Sequence, residues 1–286
     1  MKKLFIVTIC FCALVTLNGQ AVEQRLPGAE EISNRRTSFN LEEIKVRWKK
    51  AALENCTGVP CITTGPTGPG TGGSFTCGTS TVADIDGNTY NTVLIGTQCW
   101  TKSNLKVTKY NDGTAIPLDA SGGSTGSGAG ETWSTRTAGA YCILDNEPSS
   151  GTNASNYGFL YNWLAATDPK KICPAGWHVP SEAEYITLTT FASPNPGYKL
   201  KSPSSLWTGS STNRTDNFGF SMLPSYERAP GGGYLIGVGN QYAMFWTTTT
   251  VSTTNAIQLA TYHSDNAPNF YDVNKKVGNA IRCLKD

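Results

Sequence analysis

Thr79-Ser80-Thr81-Val82-Ala83-Asp84-Ile85-Asp86-Gly87-Asn88-Thr89-Tyr90-Asn91-Thr92-Val93-Leu94-Ile95 is the stretch on which the reading of the fold turns. Two β-prone runs, Thr79–Ala83 and Tyr90–Ile95, flank a turn built from Asp, Gly and Asn. Asp-Gly between such runs is a strong hairpin signal, because Gly takes the positive φ that a tight reversal needs. Pairing residue 84 with 89 sets residue 77 opposite roughly residue 96, close to Cys99. A Cys77–Cys99 bridge is therefore physically reasonable.

Downstream of the hairpin the pattern changes. Residues 119–131 form a Gly/Ser loop. Tyr157, Leu160, Tyr161, Trp163 and Leu164 mark the apolar face of a helix over Tyr157–Ala166. Pro180-Ser181-Glu182-Ala183-Glu184 reads as a second helix start, with Ser181 as cap and Glu184 as the capping-box acid. From Phe218 onward, short strands and Gly turns run to the end. The fold class is α+β: two short helices within an irregular, mostly antiparallel β domain.

The region upstream has a different character. Met1-Lys2-Lys3 precedes a short apolar run, Leu4–Val15, with a small-x-small site at Gly19-Gln20-Ala21. That is the pattern of a secretory signal over 1–21, too short to span a bilayer comfortably. Residues 22–62 form an N-terminal region. In it, Asn40 caps a helix over about 40–54 whose stripe is Leu41, Ile44, Trp48 and Ala51 or Ala52. This helix either docks on the same domain or serves assembly with a partner. Residues 63–73, with two Gly-Pro units, read as a linker, and the main domain spans 74–286.

Composition narrows the function classes. Only 15% of the 286 residues are charged, against about 25% in an average domain. Gly and Pro together make 45 residues, from 30 and 15, a turn-rich chain below low-complexity levels. The formal charge of +2 comes from Lys2 and Lys3; without them 21 basic residues face 21 acidic ones. Nothing in that balance draws the chain to nucleic acid or an anionic membrane.

Seven cysteines follow the signal: Cys56, Cys61, Cys77, Cys99, Cys142, Cys173 and Cys283. Outside the cytoplasm these favour disulfides, and no CxxC pair supports a zinc site. Cys56 and Cys61 flank a tight turn that a local bridge would close. An odd count leaves one thiol free or intermolecular.

Five blocks occur in order from about residue 80 to the end. They are Ile95-Gly96-Thr97-Gln98-Cys99-Trp100-Thr101-Lys102-Ser103-Asn104-Leu105, Tyr157-Gly158-Phe159-Leu160-Tyr161-Asn162-Trp163, Cys173-Pro174-Ala175-Gly176-Trp177-His178-Val179-Pro180-Ser181, Asn217-Phe218-Gly219-Phe220-Ser221-Met222-Leu223-Pro224 and Ala280-Ile281-Arg282-Cys283-Leu284-Lys285-Asp286. Together they resemble the Fibrobacter succinogenes major paralogous domain, found in secreted and surface proteins of Bacteroidetes and related bacteria. The resemblance implies a divergent C-type-lectin-like or sulfatase-modifying-factor-like domain with a loop-rich face, and carries no activity. It also implies a Cys173–Cys283 bridge and leaves Cys142 as the odd thiol.

Candidate chemistry is sparse. Asp84-x-Asp86-x-Asn88 has calcium-loop spacing, but position twelve is Ile95, not a bidentate Glu, so a hairpin turn is favoured. His178 reads as a buried structural residue. Trp100, Trp163, Trp177, Trp207 and Trp246 read as core, and Arg282 as a buried or bridged ion pair. Formylglycine generation needs a pair of reactive active-site cysteines, and the late domain offers only Cys283. No cofactor, metal or catalytic residue is expected. The most open surface candidate is Tyr226, Arg228 and Tyr234 on a Gly-rich loop, with Asn240, Gln241 and Tyr242 nearby. Such residues suit polar or aromatic ligand recognition. The expected function is non-enzymatic recognition or adhesion outside the cell, with a glycan or protein ligand. The alternative is a structural subunit of a surface appendage, self-assembled through the N-terminal helix.

Overall fold

The structure is a computed structural model that describes residues 15–17, 20–22, 75–121, 131–209, 213–235 and 240–286. The chain divides into two compact units, 1–66 and 67–286. In the first, β1 (Val15–Leu17) pairs antiparallel with β2 (Gln20–Val22). The expected helix at 40–54, the Cys56–Cys61 bridge and the linker lie outside the described residues.

The second unit is α+β. β3 (Thr81–Ala83), β4 (Thr89–Ile95) and β5 (Gln98–Thr101) run as a meander. The turn closes one residue tighter than the sequence suggests: Ala83 pairs with Thr89, and Asp84 N–H donates to the Asn88 carbonyl. The cause is the Asp84 carboxylate. It accepts the N–H groups of Asp86 and Asn88 at 3.0 and 2.9 Å, while Gly87 takes a φ of +82°. Cys77 and Cys99 are bridged even so, with Cα atoms 5.9 Å apart.

The sheet is completed from far along the chain. β12 (Leu284–Lys285) inserts between β5 and β8 (Trp177–His178), giving the order β3-β4-β5-β12-β8. The Cys173–Cys283 disulfide lies beside this junction in sequence. A second sheet, β11-β10-β9, is a meander of β9 (Tyr242–Thr250), β10 (Asn255–Tyr262) and β11 (Asn269–Asn274). Strand alternation sends its side chains to opposite faces. Ala243, Phe245 and Leu259 join Trp100, Tyr185, Leu188 and Leu284 in one core cluster. Trp246, Ala256 and Val273 join Tyr161, Trp177, Ile281 and the disulfide in another. Trp100, Trp177, Trp207 and Trp246 are buried. Trp163 is half-buried, with Lys275 Nζ 4.2 Å from its ring centroid.

The helices depart from expectation in number and place. Among the described residues there are five: α1 (Glu131–Thr135), α2 (Thr152–Tyr157), α3 (Trp163–Ala166), α4 (Glu182–Phe191) and α5 (Pro196–Leu200). α4 has the full capping box of Ser181 and Glu184. The single helix expected over 157–166 is instead α2, then β7 (Leu160–Tyr161), then α3. β7 pairs with β6 (Tyr141–Cys142). Gly158 makes the break. Its φ is +70°, and a Cβ there would lie 2.7 Å from the Leu105 carbonyl oxygen. Phe159 N–H donates to that oxygen, and the Asn104 amide donates to the Tyr157 carbonyl. Docking on 104–105 thus outweighs helical periodicity. Asn162 restarts the helix as cap, accepting from Ala165 N–H.

Candidate functional site

The recognition residues expected from sequence divide between the interior and the surface. Arg228 is fully buried. Its guanidinium lies 4.4 Å from the Trp133 ring centroid and donates to the carbonyls of Gly232, Asp119 and Ser121 and to Asp119 Oδ1. Asp119 is also paired with Arg136 at 2.6 Å. Burial alone would raise the Asp119 carboxyl, but hydrogen bonds from Ser121 and Arg136 and the Arg228 charge hold it below its usual range. Tyr234 is 1% exposed, and its hydroxyl donates to the Ile143 carbonyl. Arg228 and Tyr234 are therefore structural, not members of an open binding loop. Cys142 is a buried free thiol beside them, and burial pushes it up to about 11.

Tyr226, Asn240 and Tyr242 do stand at the surface and come together. The Tyr226 hydroxyl donates to Asn240 Oδ1 at 2.9 Å. Ser225 N–H donates to the Tyr242 carbonyl, so the Tyr226 loop is stitched to the start of β9. Tyr242 lies opposite Tyr262 across the β9–β10 pair, with ring centroids 4.8 Å apart. The Tyr262 hydroxyl donates to Gln241 Oε1 at 2.8 Å, and its ring stands 4.2 Å from that of His263. Two phenol hydroxyls are thus fixed by two consecutive amides, and the aromatic rings remain part-exposed.

Sequence reading missed Tyr262 and His263, which are contiguous with Tyr242 only through strand pairing. It also missed Lys201. Its ammonium is buried and donates to the carbonyls of Tyr262, His263 and Asp265 at 2.5, 3.2 and 2.8 Å. That grip holds the β10 end that presents Tyr262 and His263. Burial lowers Lys201 to about 8.

The remaining polar candidates are engaged by partners within the domain. His178 is not buried: its side chain is 36% exposed and sits between Glu184 and Asp286. Nε2 is 2.9 Å from Glu184 Oε1 and Nδ1 is 2.6 Å from Asp286 Oδ1. Ser181 Oγ bonds Glu184 rather than the imidazole, so no serine–histidine nucleophile pair is assembled here. Arg282 is buried, but its hydrogen-bond partners are Asn104 Oδ1 and the carbonyls of Thr101, Phe220 and Ser221. The expected ion pair is replaced by neutral oxygens. The Asp84 and Asp86 carboxylates are spent on the turn. Asp84 Oδ2 accepts from Tyr90 and Asn88, and Asp86 accepts from Thr108 and pairs with Lys109 at 3.0 Å. Among the described residues no group of three or more His, Cys, Asp or Glu is placed to hold a metal ion.

Fold and surface together define a disulfide-braced α+β domain with a polar, tyrosine-rich face. The family model for the Fibrobacter succinogenes major domain matches residues 93–285, and the chain belongs to that family. No curated protein and no solved structure matches the chain.

Proposed function

We propose that the protein is a secreted or cell-surface recognition or adhesion module, non-enzymatic, with a divergent C-type-lectin-like or sulfatase-modifying-factor-like fold and a glycan or protein as its ligand. The single observation that carries this reading is the surface cluster of Tyr226, Asn240, Tyr242 and Tyr262. Part-exposed aromatic rings suit the C–H faces of sugars or apolar side chains. Adjacent amides suit hydroxyl or backbone partners, and Asn240 keeps its amide nitrogen unpartnered among the described residues. The two disulfides fit an oxidising compartment, and among the described residues no helix is long and apolar enough to cross a membrane.

The test is binding of the oxidised protein to arrays of glycans and cell-wall polysaccharides, with calcium and with chelator. Tyr242→Ala and Tyr262→Ala should each weaken reproducible hits by about 2 kcal/mol, roughly thirtyfold. A blank array on folded protein would overturn the glycan reading and move the search to protein ligands.

A further inference from the structure

Arg282 poses an electrostatic problem that the tyrosine face does not address. A fully buried guanidinium satisfied by neutral oxygens keeps its positive charge in the interior. Burying an ion is costly, and burial lowers Arg282 to about 10, with Tyr185 and Asp216 acting in the opposite direction. Arg282 also forms part of the wall of a cavity of about 100 Å³. Lys106 lines the same cavity, and no Asp or Glu does. Ser103, Ser155 and Asn156 stand around it. Among the described residues the side chains of Lys106, Ser103, Ser155 and Asn156 have no hydrogen-bond or ion-pair partner. A second hollow of about 230 Å³ shares Lys106 and adds Asn88, Thr108 and Ser149. The one acid there, Asp86, is already taken by Thr108 and Lys109.

We propose that the Arg282–Lys106 cavity is a carboxylate site, and that its ligand is an acidic sugar of the uronic acid class. Two cations without a wall carboxylate select a small oxyanion. The smaller cavity has room for several water-sized groups, which suits a carboxylate with its attached carbon. The second hollow, which shares Lys106, receives the ring, whose hydroxyls meet Asn88, Thr108 and Ser149. This site shares no residue with the tyrosine cluster, so it stands or falls separately from it.

The experiment is a calorimetric and NMR titration of the full oxidised chain with glucuronate, beside acetate, inorganic phosphate and methyl glucoside. Glucuronate should bind more tightly than acetate, and methyl glucoside should not bind. Lys106→Met should weaken glucuronate about tenfold with unchanged circular dichroism, and Tyr242→Ala should leave it unchanged. Binding unaffected by Lys106→Met, tighter binding of phosphate than of glucuronate, or no glucuronate binding at tens of millimolar would each overturn the proposal. Ser149→Ala provides a second variant, in the second hollow and away from Arg282, and should weaken glucuronate but not acetate.

Discussion

His178 illustrates how one residue's role is set by what folds around it. Hydrogen bonding to Glu184 raises its pKa against the opposing effect of burial, and Asp286 adds to the rise. A raised folded-state value means that the imidazolium contributes stability below the unfolded value of 6.5. That contribution is lost as pH rises through the higher folded value. Glu184 is lowered, with hydrogen bonds from His178 and Ser181 outweighing burial, so its contribution disappears only on acidification. The melting temperature should therefore fall from about pH 6 toward pH 8, and His178→Gln should flatten that slope. An unchanged slope in the variant would remove His178 as its source. Arg228 teaches the same lesson from the opposite side. Its neighbours Tyr226, Gly231 and Gly232 suggest an open loop, yet Trp133 and Asp119, about a hundred positions earlier, draw it inside.

At the scale of elements, the boundary between α2 and β7 depends on Gly158. Its backbone conformation, φ +70° and ψ −158°, is essentially reserved for glycine and costs other residues about 1–3 kcal/mol. Crowding against Leu105 and Asn104 adds about 1–3 kcal/mol. Gly158→Ala should thus destabilise the domain by about 2–6 kcal/mol in denaturant unfolding. Gly87 is the control: its φ is also positive, but nothing lies within 4 Å of a Cβ there. Gly87→Ala should cost about 1–3 kcal/mol, the conformational term alone. Equal losses in both variants would show that the Leu105 contact does not decide the break. The α4 start, by contrast, was legible in sequence because its capping box is satisfied by residues three apart. The 157–166 segment was not, since its periodicity is local and the carbonyl it meets is not.

At the scale of the molecule, the two disulfides among the described residues close loops of very different length. Cys173–Cys283 spans 110 residues and Cys77–Cys99 spans 22. Chain entropy assigns them about 5 and about 3 kcal/mol as upper values. Cys173→Ala with Cys283→Ala should therefore lower stability more than Cys77→Ala with Cys99→Ala, by roughly 1–2 kcal/mol in urea. The reverse order would mean that native packing, not loop closure, dominates. The long bridge also secures the insertion of β12 between β5 and β8, a non-local contact that forms late in sequence terms. The hairpin, the capped α4, the family blocks and the α+β class followed from the sequence alone, because each is encoded by short-range spacing or by turn chemistry. Tertiary structure alone decided which loop residues face outward, where the 157–166 helix breaks and that Arg282 is held by neutral oxygens. It also joined Tyr226, Tyr242 and Tyr262 into one surface. Those outcomes depend on burial and strand pairing between distant segments, and a local pattern of residues does not specify its distant partner.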